Sequence, residues 1–159
     1  MVPNSDLVLA WLLSEKAHAG QLDKAGEPYI QHPRRVADCF SDTKLKIIAL
    51  LHDTVEDTWV DEKLLRKMFS SDVCDCIMLL TRKNDETYSE FINRIVKSKN
   101  LYAIKIKIAD ITDNMNLGRL KEVTAKDLER TQKYAESRIL LKEALIENES
   151  TSEWYDDVY

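Results

Sequence analysis

The segment Ile47–Asp57 (IIALLHDTVED) carries one imidazole and three carboxylates close together, on His52, Asp53, Glu56 and Asp57. Wound as a helix at about 100° per residue, it puts Ile47, Ile48, Leu51 and Val55 in one sector and the four polar side chains in the opposite one. Such a face is either a solvated acidic surface or a set of metal ligands. A second imidazole, His32, is presented rigidly, because a loop precedes it and Pro33 follows. Asp110, in Lys107-Ile108-Ala109-Asp110, is flanked by apolar residues, where a carboxylate is costly to bury without a cation or donor. Asn114 lies one turn further along that face, with Asp113 close by. His32, His52, Asp53 and Asp110 mix nitrogen and oxygen donors and leave room for water, which suits Mn²⁺, Fe²⁺, Zn²⁺ or a related divalent ion. An ion of this kind acidifies water and polarises a phosphoryl oxygen, so the expected chemistry is hydrolysis at phosphorus. Glu56 and Asp57 are then the acid and base candidates. His18, on the first helix, reads as a partly buried packing residue or a surface residue and not as a ligand.

The elements that must position these groups follow from the breakers. Three glycines and three prolines stand at Pro3, Gly20, Gly26, Pro28, Pro33 and Gly118, leaving 34–117 and 119–159 free of them. With 159 residues, 44% of them hydrophobic, the chain is expected to form one compact all-α domain, a helical bundle with its core over about 5–147. So few turn formers exclude a sandwich or barrel of many short strands. The spacing predicts a helix capped by Ser5 or Asp6 and running to His18, a loop over 20–32, and a helix starting at Pro33. Further helices are predicted at 43–57, 61–69, 71–82, 86–98, 101–116 and 125–147. The alternation Ile104, Ile106, Ile108 would suit a strand, but Leu101, Ile104, Ile108, Ile111 and Met115 recur at three and four, which favours a helix. Over 125–147, Leu128, Tyr134, Ala135, Ile139, Leu140 and Leu141 read as the core-facing residues. Residues 148–159 form an acidic tail with Trp154, Tyr155 and Tyr159.

The charge balance narrows the partners. Lys and Arg number 23 against 28 acids, a formal net charge of −5 with pI about 5.3, which argues against general attraction to DNA or an anionic membrane. The longest apolar run, Ile47–Leu51, is far short of the roughly 20 residues a membrane span needs. Three cysteines, an odd number, and no signal-like opening point to the cytoplasm and to reduced thiols. Cys74 and Cys76 are too close to each other and too far from other cysteines to outline a zinc site.

Three segments, HAGQLDKAGEPYIQHP, ALLHDTVEDT and KIADITDNM, match in order and spacing the HD-domain hydrolases that remove pyrophosphate from the alarmone (p)ppGpp. The resemblance covers about 7–145 and is similar to the hydrolase half of the Rel/SpoT enzymes and to the stand-alone small alarmone hydrolases. It implies an all-helical HD domain binding one Mn²⁺ through His32, His52, Asp53 and Asp110. It implies Glu56 and Asp57 as the catalytic pair, Asn114 and Lys24 as nucleotide contacts, and a guanosine tetra- or pentaphosphate substrate. Two departures bear on that substrate. Asp23 stands where the family usually has an arginine against guanine, and Met115-Asn116-Leu117 replaces the usual Met-Arg-Thr. The resemblance therefore also admits an HD hydrolase of another pyrophosphorylated nucleotide or RNA 3′ end, acting as an antitoxin, or a degenerate domain that binds a nucleotide or protein.

Overall fold

The computed structural model describes residues 4–149. The fold is all-α, and the only extended pairing among the described residues is an isolated antiparallel bridge between Leu22 and Pro28. The expected acidic tail lies outside these residues from 150 onward.

Helix α1 spans Ser5–Ala17, and its cap is Asn4, whose side chain accepts from the amides of Asp6 and Leu7; the cap falls one residue before the expected Ser5 or Asp6. Helix α2, Gln31–Asp38, starts two residues before Pro33. Pro33 sits inside its first turn, where no intrahelical donor is needed and the ring costs nothing. Helix α3, Thr43–Leu51, buries Leu45, Ile47, Ile48, Ala49, Leu50 and Leu51. A helix apolar on all sides must be surrounded, and α3 is, by α1, α2, α6 and α8. Removing the fully buried Leu51 side chain as Leu51→Ala would cost about 2–5 kcal/mol.

The helix predicted over 43–57 is broken. The side chain of His52 bonds the Ala49 carbonyl through Nδ1 at 2.6 Å, and the Thr54 hydroxyl donates to the Leu51 carbonyl at 2.7 Å. Two acceptors of the helical ladder are thereby taken, and Asp53 turns to φ −100°, ψ −3° before a single turn, α4, covers Thr54–Asp57. The four polar groups consequently do not share one continuous helix face.

Helices α5, Glu62–Met68, and α6, Ser71–Leu79, follow. Helix α7, Tyr88–Ser98, opens on a capping box between Thr87 and Glu90. Helix α8, Leu101–Asn114, confirms the helical period over the strand alternation and buries Ile104, Ile106, Ile108 and Ile111 together with Asp110. A 3₁₀ turn at Leu117–Arg119 leads to α9, Ala125–Asn148, opened by a Thr124–Asp127 capping box. Helix α9 packs on α7 and α8. Its inner stripe is Ser137, Leu141, Ala144 and Leu145, spaced at three and four. Of the residues expected there, Leu128, Ile139 and Leu140 point outward instead, 59%, 58% and 47% exposed. They lie off the stripe that meets α8, and a helix covered on one side buries only that side. None of the described helices is long and apolar enough to cross a membrane.

Candidate metal centre and active site

Three places in the chain supply the cluster. His32 comes from the first turn of α2, His52 and Asp53 from the break between α3 and α4, and Asp110 from the middle of α8. One donor atom of each lies within 4.8 Å of all the others. His32 Nε2 is 2.8 Å from Asp110 Oδ1 and 3.6 Å from Asp53 Oδ2; His52 Nε2 is 3.2 Å from Asp53 Oδ2 and 3.4 Å from Asp110 Oδ1. Both imidazoles thus turn Nε2 inward. Their Nδ1 atoms face outer acceptors, the Ala49 carbonyl for His52 and Asp113 Oδ2 at 2.7 Å for His32. This fixes the tautomer that a metal-ligating imidazole needs.

The electrostatics fit a cation. Burial alone would lower the pKa of His32, but hydrogen bonds to Asp110 and Asp113 outweigh it and push it up to about 9. His52 is raised in the same way, with burial opposed by the charges of Asp53 and Asp110. Asp53 and Asp110 are held low against burial, chiefly by His52 and by Lys107 respectively. His52 Nε2 is fully buried and makes no well-directed hydrogen bond to either neighbouring carboxylate among the described residues. With a divalent ion in place of the ring protons, two Nε2 atoms and two carboxylate oxygens converging on one point are the donor set such an ion takes, and the cluster can hold one.

Several supporting groups lie inside or beside the quoted segments but have no role in the sequence reading. Tyr29 Oη donates to Asp53 Oδ2, Lys107 Nζ is 2.8 Å from Asp110 Oδ2, and Asp113 receives His32, Arg35 and Arg119. A distant signal exists for two of them: Lys107 and Asp113 are each three residues from Asp110 and so share its side of α8. Of the two places the sequence left open for His18, packing and surface, the structure takes the first: it is buried, with Nδ1 2.8 Å from Gln21 Oε1 and its ring 5.0 Å from that of Tyr29.

The expected catalytic pair separates. Desolvation on its inner side, then the charges of Asp53 and Glu56, push Asp57 up to about 6. Glu56 instead turns its Oε1 to the Arg82 amide at 2.7 Å and faces a groove bordered by Arg82 and Lys83. Asn114 donates to Asp110 Oδ1 at 3.0 Å and also lines a cavity of about 350 Å³ that reaches His32. Lys24 stands at the rim of this cavity, exposed, 3.9 Å from Asp127 Oδ1. The neighbouring Asp23 is occupied, its Oδ1 accepting from the amides of Ala25 and Glu27 at 2.9 Å each.

A helical bundle that draws two imidazoles and two carboxylates onto one buried point defines a metal-binding all-α domain. Residues 10–104 match the HD domain, and the chain belongs to that family. A GTP pyrophosphokinase of Myxococcus xanthus is 34% identical over 132 residues, covering 71% of this chain and 17% of that one. The bifunctional (p)ppGpp synthase/hydrolase SpoT of Escherichia coli K12 is 33% identical over 126 residues, covering 70% and 18%. The chain thus spans less than a fifth of the length of these relatives. A solved structure described as a metazoan ortholog of SpoT that hydrolyses ppGpp superposes with a TM-score of 0.74 at 24% identity, covering 93% of this chain and 96% of the other, which fixes the shared fold.

Proposed function

We propose that this domain is a metal-dependent phosphohydrolase that removes the 3′-pyrophosphate of (p)ppGpp, releasing pyrophosphate and GDP or GTP. The observation that carries the reading is the four-ligand cluster opening beside a nucleotide-sized cavity with cationic side chains on its wall. It is supported by SpoT and by the guanosine-3′,5′-bis(diphosphate) 3′-pyrophosphohydrolase of Haemophilus influenzae, 32% identical over 124 residues. In this reading His32, His52, Asp53 and Asp110 would hold Mn²⁺, which when bound would supply Lewis acidity at phosphorus and a more acidic water. Asp57, mostly ionised at neutral pH, takes the proton of the attacking water. Glu56 shapes the adjoining loop, and Asn114 and Lys24 contact the nucleotide. Cytoplasmic placement accords with the three free thiols.

Incubating the purified chain with Mn²⁺ and ppGpp should yield GDP and pyrophosphate in equal amounts. His52→Ala should lose both bound metal and turnover while retaining helical circular dichroism. No hydrolysis by a wild-type protein that holds its metal would overturn the alarmone reading. A second reading keeps the chemistry and changes the nucleotide. Asp23 favours it, because its carboxylate is used within the loop and puts no cation against a base.

A further inference from the structure

Asp113 is not one of the four clustered ligands, yet it gathers three basic partners, His32, Arg35 and Arg119. Arg35 bonds it through two nitrogens, Nε to Oδ1 at 2.8 Å and Nη2 to Oδ2 at 3.1 Å. Arg119 Nη2 donates to the main-chain oxygen of Asp113 at 2.9 Å and lies 3.4 Å from Oδ2. One residue therefore holds two guanidinium groups drawn from α2 and the 3₁₀ turn, Arg35 through its carboxylate and Arg119 through its main-chain oxygen. Both arginines line the cavity beside His32 and are about one-third exposed, 31% and 33%. Among the described residues each keeps its Nη1 without a protein acceptor. The acids of the facing wall are already engaged: Asp23 by two loop amides, Asp127 by its capping box and by Arg130. Guanidinium groups held in place with donors to spare suit the oxygens of a phosphate or carboxylate, and a nucleotide brings the phosphate.

Position selects which phosphate. The metal cluster lies on the Nε2 edge of His32, whereas Asp113 and its arginines lie on the Nδ1 edge. A substrate whose scissile group reaches the cluster would carry a second phosphate past the opposite edge of the same ring. We propose that Arg35 and Arg119, held in place by Asp113, form a subsite for the uncleaved phosphate of the substrate, the 5′-diphosphate in the case of ppGpp. This rests on reading the protein as a nucleotide pyrophosphohydrolase.

Calorimetric titration of the full chain, with its divalent ion, against GDP and against guanosine tests the subsite apart from turnover. Wild type should bind GDP more tightly than guanosine. Arg35→Gln and Arg119→Gln should each weaken GDP by on the order of tenfold and leave guanosine unchanged. Arg35→Lys, which keeps the charge and loses the fork, should fall between. Arg34→Gln is the control: Arg34 lies over the Trp11 ring, 4.6 Å from its centroid and away from the cavity, and its loss should change neither affinity. On ppGpp the two glutamine variants should raise KM and spare kcat. Should Arg35→Gln fail to fold, Arg119→Gln decides alone. Equal affinity of wild type for GDP and guanosine overturns the proposal, as does wild-type GDP affinity in the folded glutamine variants. If GDP selectivity and its loss are seen but ppGpp is not cleaved, the alarmone reading fails and the subsite stands for another phosphorylated nucleotide.

Discussion

Tyr29 Oη donates a hydrogen bond of 2.5 Å to Asp53 Oδ2, tying the glycine-rich loop before α2 to a carboxylate of the metal cluster. Burial, reinforced by the charge of Asp53, holds this phenol firmly in its neutral, donating form. Tyr29→Phe removes the donor and keeps the ring against His18 and His32. The expected result is roughly a 10- to 100-fold loss of metal affinity or activity with an unchanged fold, as for other groups that orient metal ligands. Metal titration followed by circular dichroism checks it. Wild-type affinity and turnover in Tyr29→Phe would mean that Asp53 is oriented by the backbone alone.

Asp57 and Glu56, adjacent in sequence, should respond differently to loss of charge. Asp57→Asn is expected to keep the metal and slow turnover on the order of 10²-fold. It should also flatten the acidic limb of the rate profile, where the wild-type rate climbs as Asp57 ionises near pH 6. Glu56→Gln retains an acceptor for the Arg82 amide and should cost far less. Equal losses in the two variants, with metal bound, would be the behaviour of a catalytic pair.

The period of the apolar residues made the helices legible, and the types and order of His32, His52, Asp53 and Asp110 made the ligands legible. The break after Leu51 was not, because it depends on two side chains, His52 and Thr54, outcompeting backbone amides for carbonyls one turn back. That competition leaves no trace in hydropathy. The exposed faces of Leu128, Ile139 and Leu140 were hidden for a different reason. A period defines a stripe, but only the neighbouring helix decides how wide a stripe is covered. Arg35 and Arg119 escaped notice because their partner, Asp113, is remote from Arg35 in sequence and converges only in the fold.

The loop that meets Glu56 has its own anchor, and pH exposes it. Arg94 bonds both oxygens of Glu86, at 2.7 and 2.9 Å, and the carbonyls of Leu79 and Thr81. The bonds from Arg94 lower Glu86 from 4.5 to about 2. A depressed carboxylate contributes stability that is present above its unfolded value and lost as pH falls through its folded one. Arg94→Met should therefore cost about 1.5–3 kcal/mol at pH 7, as loss of hydrogen bonds to a charged group does. Urea midpoints should show the gap to wild type closing as pH drops from 4.5 toward 2. A gap unchanged near pH 2 would assign the loss to packing and to the bonds with the Leu79 and Thr81 carbonyls, and not to the ion pair.

Asp23 decides how far the alarmone pattern can be restored by a single change. With its Oδ1 accepting from Ala25 and Glu27, and its own amide donating to the Glu27 carbonyl at 2.8 Å, Asp23 closes the loop in which Gly26 adopts φ +83°. An arginine there would bring a flat cation toward the base but would leave two amides without their acceptor. Losing a side-chain acceptor of this sort costs about 0.5–2 kcal/mol, comparable with the roughly 0.5–2 kcal/mol a cation over an aromatic face returns. The loop term falls on the free protein and the stacking term only on the complex. Asp23→Arg is therefore expected to lower Tm and to give little or no net gain in KM for ppGpp. Asp23→Asn, which keeps Oδ1, should behave as wild type in both. Steady-state kinetics and melting curves of the two variants separate the terms. A tenfold lower KM for Asp23→Arg with undiminished Tm would show that the loop does not depend on this carboxylate, and that the guanine face had merely lacked its cation.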